Sequence, residues 1–296
     1  MTTKALTPAV SPPKTSEGWR SLKMAAWLGW QIESNWTDPF LFAVYSFAKP
    51  LASAAILVVM YGIITGGAYN NPLFAYMYLG NAFYIYVGAV MTGVSWAVID
   101  DREHYKTLKY MYVAPIMIPV YLMGRGFARF ITGSFAVIIT ILAGILFLHM
   151  PFDITKVDWG LFLVSLMIGI VMLAFMGLIL GSLSLVLVHH AGFLGESVAA
   201  ALYVFSGAIF PLTVLPPAMQ VIGYLMPTTY WLELLRRSLV GGVAEAFPTL
   251  QGRTDSELLL ILVALTLVFA VLSVFIFRIC NRRAIELGLI DRTTNY

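Results

Sequence analysis

The chain is poor in charge. Asp, Glu, Lys and Arg make up 11% of its 296 residues, while 60% are hydrophobic. A water-soluble domain carries about 25% charged residues. This chain cannot cover its apolar surface with polar groups, so a bilayer is its expected solvent. By position the scarcity is sharper. Leu51–Ile99, Phe130–Leu148, Gly160–Val188, Ser197–Leu232 and Leu258–Phe277 contain no Asp, Glu, Lys, Arg or His. Ion-driven transporters keep ionisable groups at mid-membrane, which disfavours proton or sodium coupling here. The single cysteine, Cys280, excludes an internal disulfide framework and a cysteine metal pair. There is no GxxxxGK[ST], so the chain has no P-loop of its own. No Ser/His/Asp or Cys/His set assembles, because His104, His189 and His190 fall on one side of the expected topology and His149 on the other. A net charge of +3 gives no reason to expect nucleic acid as a partner. The first 39 residues lack the apolar core of a cleaved signal peptide, so the N-terminus is expected to stay in the cytoplasm.

Six stretches supply the roughly 20 apolar residues that a membrane-crossing helix needs. They lie near residues 44–66, 74–99, 117–148, 160–188, 193–212 and 257–278. With the N-terminus inside, 14 of the 18 Lys and Arg residues fall on the cytoplasmic side. Lys156, Arg236, Arg237 and Arg253 are left outside, and Arg236 and Arg237 read as caps of an outer helix end. The expected fold is an all-α integral membrane protein with six transmembrane helices, both termini cytoplasmic, in the cell (inner) membrane. It forms one transmembrane domain over 1–296: a tail and interfacial helix at 1–39, a six-span core at 44–278 and a tail at 279–296. Gly18–Trp36 places Trp19, Leu22, Ala26, Trp30 and Glu33 at helical spacing, the pattern of an amphipathic helix in the membrane interface. Packing on the protein itself is the alternative. In Gly207–Leu239, Pro211, Pro216, Pro217 and Pro227 break the chain into pieces too short to cross. Two short helices near 217–226 and 228–240 are expected there, as a re-entrant pair before the last span.

Asp100–Tyr110, DDREHYKTLKY, holds six formal charges in eleven positions between two apolar stretches. Asp100 followed by Glu103 has the form of a capping box, which predicts a helix start where the second span ends. Tyr105, Leu108 and Tyr112 fall on one face, and Pro115 is a stop. The product is a short amphipathic helix, read either as a docking knob for a cytoplasmic motor or as a solvated loop. The cap, stripe and stop agree on the knob.

These residues resemble the membrane subunits, or permeases, of type 2 ABC transporters, over nearly the whole chain. The first motif, DDREHYKTLKYMYVAPI, is similar to that family's coupling segment at Asp101, Arg102, Glu103, Thr107, Leu108 and Pro115. The family usually has Gly before the Thr, where this chain has Lys106. The second motif matches at Ser206, Gly207, Phe210, Pro211, Leu215, Pro216, Pro227 and Arg236. The resemblance implies two ATP-binding-cassette subunits that bind ATP and Mg, each gripping a coupling helix, and a second copy of this chain or a homologous permease beside it. This chain would hold no cofactor, metal or catalytic residue. Asp101, Arg102, Glu103, His104, Lys106, Thr107 and Leu108 are the expected docking residues, and charge reversal at Arg102 and Glu103 is expected to uncouple the motor without unfolding the protein. Tyr76, Tyr84, Glu196, Arg125, Arg129, Phe210 and Pro211 are candidates for the pathway or gate. Arg125 and Arg129 read as meeting an anionic headgroup or snorkelling to lipid phosphate, and Glu196 as pairing with one of them. The expected activity is export of a lipophilic or amphipathic compound, drug or lipid. Export of a polysaccharide or lipid-linked glycan is the alternative within the class, and a motor-free channel or scaffold the alternative outside it.

Overall fold

The computed structural model describes residues 15–34, 39–114, 116–150, 152–187, 189, 191–240 and 249–292. Pro115 and His190 lie outside the described residues. Among the described residues there are eleven α-helices and no strands. In order they are α1 (Thr15–Ser34), α2 (Pro39–Thr65), α3 (Pro72–Tyr86), α4 (Thr92–Ile99), α5 (Leu108–Val113), α6 (Ile118–Leu148), α7 (Trp159–Val186), α8 (Ala191–Phe205), α9 (Pro217–Leu225), α10 (Pro227–Val240) and α11 (Asp255–Glu286). Four helical stretches are long and apolar enough to cross a bilayer: Pro72–His104, Ile118–Leu148, Trp159–Val186 and Asp255–Glu286. The first and fifth expected spans fall on shorter apolar helices, Pro50–Thr65 within α2 and Ala191–Phe205.

Pro72–His104 starts on an Asn71 side chain that accepts from the Leu73 amide at 2.9 Å, with Pro72 in the first turn where a missing N–H costs nothing. It then carries two π-helical segments, Val87–Met91 and Asp100–His104, on either side of α4. The Thr92 hydroxyl donates to the Gly88 carbonyl inside the first of them, offering the loosened ladder another donor.

α7 occupies the centre, packed by α4, α10 and α11. Its Gly177 lets it meet the π segment backbone to backbone, since a Cβ there would come within 2.7 Å of the Met91 carbonyl oxygen. α1 lies along α6 through small residues on both partners: Ala25 and Gly29 face Gly124 and Ala128. Trp19, Met24 and Trp27 stay exposed on the other side of α1. Of the stripe expected from spacing, Trp19 is exposed while Leu22, Ala26, Trp30 and Glu33 are half-buried, and the closest approach to α6 is made by the small residues beside it.

The proline-rich segment forms α9 and α10, each opening on a proline. α10 is buried along almost its whole length, from Tyr230 to Leu239. α11 opens with a capping box at Thr254 and Glu257. The expected box at Asp100 is absent: Ile99 and Asp100 are both helical, and no side chain caps the turn. A capping residue must leave helical geometry, and here the incoming helix never stops.

Candidate coupling segment and membrane cavity

Residues 100–114 divide into a buried root and an exposed tip. At the root, the Asp101 carboxylate meets Arg125 Nη1 at 3.1 Å, and Arg125 also donates to the Tyr121 hydroxyl at 3.0 Å. Arg102 reaches across to α7, donating from Nη1 to the Ser184 carbonyl at 2.8 Å, and pairs with Glu103 at 3.2 Å. Asp101 and Arg102 are each 2% exposed, so their charges face the protein's own helices. The Arg102 side chain is thus a strut rather than a docking contact. Arg125 does not snorkel: α6 turns it inward, where a carboxylate and a phenol satisfy its donors.

The chain then turns sharply. The Tyr105 amide donates to the Asp100 carbonyl and the Thr107 amide to the Asp101 carbonyl, both at 2.8 Å. Between them Lys106 takes φ 53°, the left-handed region that glycine enters without steric cost. α5 follows with Leu108 and Met111 buried in an apolar cluster that also holds Leu122, Leu178, Phe277 and Leu289. Tyr110 and Val113 point out, 66% and 88% exposed, and Tyr105 is also exposed. The expected face of Tyr105, Leu108 and Tyr112 is therefore split, because the turn at Lys106 sets Tyr105 apart from α5. His104 is exposed and its ring lies 2.9 Å from Asp100. The last turns of α11 and the tail beyond it brace α5: the Tyr112 hydroxyl donates to Asn281, and Lys109 pairs with Asp291 at 3.0 Å.

The other candidates separate into two places. A cavity of about 440 Å³ opens between α1, α2, α6, α8 and the helix running from α3 through Val87–Met91 into α4. Tyr84, Arg129 and Glu196 line it, with Glu33, Asn81 and Tyr203. Arg129 pairs with Glu33 at 2.7 Å rather than with Glu196. Burial raises the Glu33 carboxyl above the usual range, against the pull of the Arg129 guanidinium. Tyr76 lies elsewhere, fully buried beneath the Arg236 guanidinium, 4.8 Å from ring centre to Cζ. Arg236 donates to the Gly207 carbonyl at 2.9 Å and to the Ala208 carbonyl, closing the end of α8. Gly80 leaves space for it on α3. Arg237 donates to the Leu250 and Arg253 carbonyls ahead of α11. Phe210 and Pro211 sit half-buried in the turn beyond, outside the cavity lining.

A family model described as ABC-2 type transporter matches residues 23–240, from within α1 to the end of α10. The chain belongs to this family. It is a permease subunit of an ABC-2 transporter and a multi-pass membrane protein, a transport component rather than an enzyme in itself. Membership implies association with ATP-binding cassette subunits. No curated protein matches the chain. The contributions of Glu33, Asn81, Tyr203, Ser184, Asn281 and Asp291 were not foreseeable from spacing, because each acts across helices distant in sequence.

Proposed function

We propose that this permease subunit is driven by ATP hydrolysis in separate cassette subunits that grip the tip of residues 104–114, and that it exports a lipophilic or amphipathic compound. Two permease chains, identical or homologous, stand over two ATPases that hold the Mg and ATP. Each permease chain has six spans, a re-entrant pair at α9 and α10, and both ends in the cytoplasm of the inner membrane. The observation that carries this reading is the buried root beneath an exposed apolar tip. Force applied at Tyr105, Tyr110 and Val113 passes through Arg102 to α7 and through Asp101 and Arg125 to α6. A merely solvated loop has no reason to seat two charged side chains inside the bundle.

The test is co-purification with a cassette ATPase encoded beside this chain. Tyr110→Ala with Val113→Asp should abolish ATPase association while leaving the permease folded, since both side chains are exposed. Charge reversal at Arg102 is unsuitable, because it breaks the root itself. Unchanged association would remove the tip as the docking face, and a wild-type chain that pulls down no ATPase would favour the motor-free channel. Export of a glycan is a second reading, favoured by the Ser53, Asn81 and Thr132 side chains on the cavity wall. Stimulation of the ATPase by a lipid-linked sugar and not by amphiphiles would select it.

A further inference from the structure

We propose that the cavity lined by α1, α2, α3, α4, α6 and α8 binds amphipathic cations, with Glu196 as their counter-ion and the Tyr84 and Tyr203 rings as their apolar seat. As a statement about cargo this rests on the permease reading above; as a statement about binding it stands on the cavity itself.

One wall of the cavity is a single helical face. Asn81, Tyr84, Gly88 and Thr92 follow one another at steps of three and four residues along the helix that runs from α3 through the Val87–Met91 π segment into α4. The volume, about 440 Å³, falls in the range of small-molecule pockets. The two ends of the wall differ in chemistry. At one end Tyr84 and Tyr203 have ring centres 4.7 Å apart at an interplanar angle of 57°. Both hydroxyls are already committed, Tyr84 donating to the Ala199 carbonyl and Tyr203 to Asn81 Oδ1 at 2.6 Å. What they offer a ligand is ring surface, whose negative faces attract a cation or the polarised C–H groups around one.

At the other end stand Glu33, Arg129 and Glu196. Arg129 is taken by Glu33 at 2.7 Å. Glu196 is exposed to the cavity and has no cationic partner among the described residues. The described lining therefore carries two carboxylates and one guanidinium. A carboxylate beside low-dielectric walls, with its local positive charge already used, favours a cation and repels an anion. Gly88 supplies an independent handle, because a Cβ built there meets nothing within 4 Å. The first atom of a side chain added at Gly88 therefore enters open space on the cavity wall.

The experiment uses the full chain in phosphatidylcholine nanodiscs and two probes of the same shape and opposite charge, tetraphenylphosphonium and tetraphenylborate. Equilibrium dialysis measures binding of each to wild type, Glu196→Gln and Gly88→Leu. Gly88→Leu, checked for an unchanged melting temperature, defines the partition into lipid that must be subtracted. The site-specific component in wild type should favour the phosphonium by about tenfold or more, as expected for one unscreened charge contact. Glu196→Gln should weaken phosphonium binding about five- to tenfold and leave the borate no weaker. Equal affinity for the two probes, phosphonium binding that ignores Glu196→Gln, or binding that Gly88→Leu does not reduce would each overturn the proposal. No ATPase enters this measurement. Its failure removes the cargo class and leaves the co-purification result standing; failure of co-purification leaves the binding result intact.

Discussion

In residues 100–114 a left-handed backbone turn is made by Lys106 at φ 53°, and in residues 206–240 another is made by Gly207 at φ 68°. Each lies near a buried arginine, and the two arginines are used differently. Arg236 donates to the carbonyl of Gly207 itself and to that of Ala208, so the turn after α8 is held by the charge. Arg102 is spent on the Ser184 carbonyl of α7 and on Glu103, ahead of the turn at Lys106. The turn at Gly207 is thus unstrained and clamped, while the turn at Lys106 is strained and held by two backbone hydrogen bonds. A clamped turn suits a segment packed over its own broken helices, and a less tightly held one suits the segment proposed above as the docking tip.

Substitutions at the two turns test this contrast. The largest effect is expected from Arg236→Met, which leaves the Gly207 and Ala208 carbonyls buried without a donor, and which should cost about 3–5 kcal/mol, read as a lowered denaturation midpoint in detergent. Gly207→Ala places a Cβ in the left-handed region and should cost about 1–2 kcal/mol in the same assay. Lys106→Gly should move stability the other way, by about 0.5–1 kcal/mol, because relief of the strain exceeds the added entropy of the unfolded chain. A destabilised Lys106→Gly would show that the two turns are held alike and would end the comparison.

The parts that spacing makes legible are those with local causes. Prolines at 217 and 227 mark the starts of α9 and α10, since the first helical turn is where proline costs least. Apolar runs mark the four long helices. A capping residue type followed three places later by Glu is ambiguous: Thr254 to Glu257 caps a helix and Asp100 to Glu103 does not. What separates them lies upstream, a loop with Gly252 at φ 80° in one case and an unbroken helix in the other. Of the pathway candidates, Tyr84, Arg129 and Glu196 line one cavity, while Tyr76 and Arg125 are drawn elsewhere by buried partners. The bracing of α5 by Asn281 and Asp291 joins residues more than a hundred positions apart, which no local pattern records.

The two π segments around α4 carry a consequence for how this gene tolerates change. Each accommodates one residue more than an α-helix of equal length, so removing a single codon within Val87–Met91 would let the ladder revert. Side chains beyond it would keep their direction, because the α-helix so restored spans the same rise and turn with one residue fewer. The same deletion within α7 would instead swing every later side chain by about 100° and slip it by about 1.5 Å, carrying the Ser184 carbonyl off Arg102. A stretch that looks like uniform lipid-soluble filler therefore holds a spare residue at Val87–Met91, and a deletion there should prove far less damaging than one in the regular helices around it.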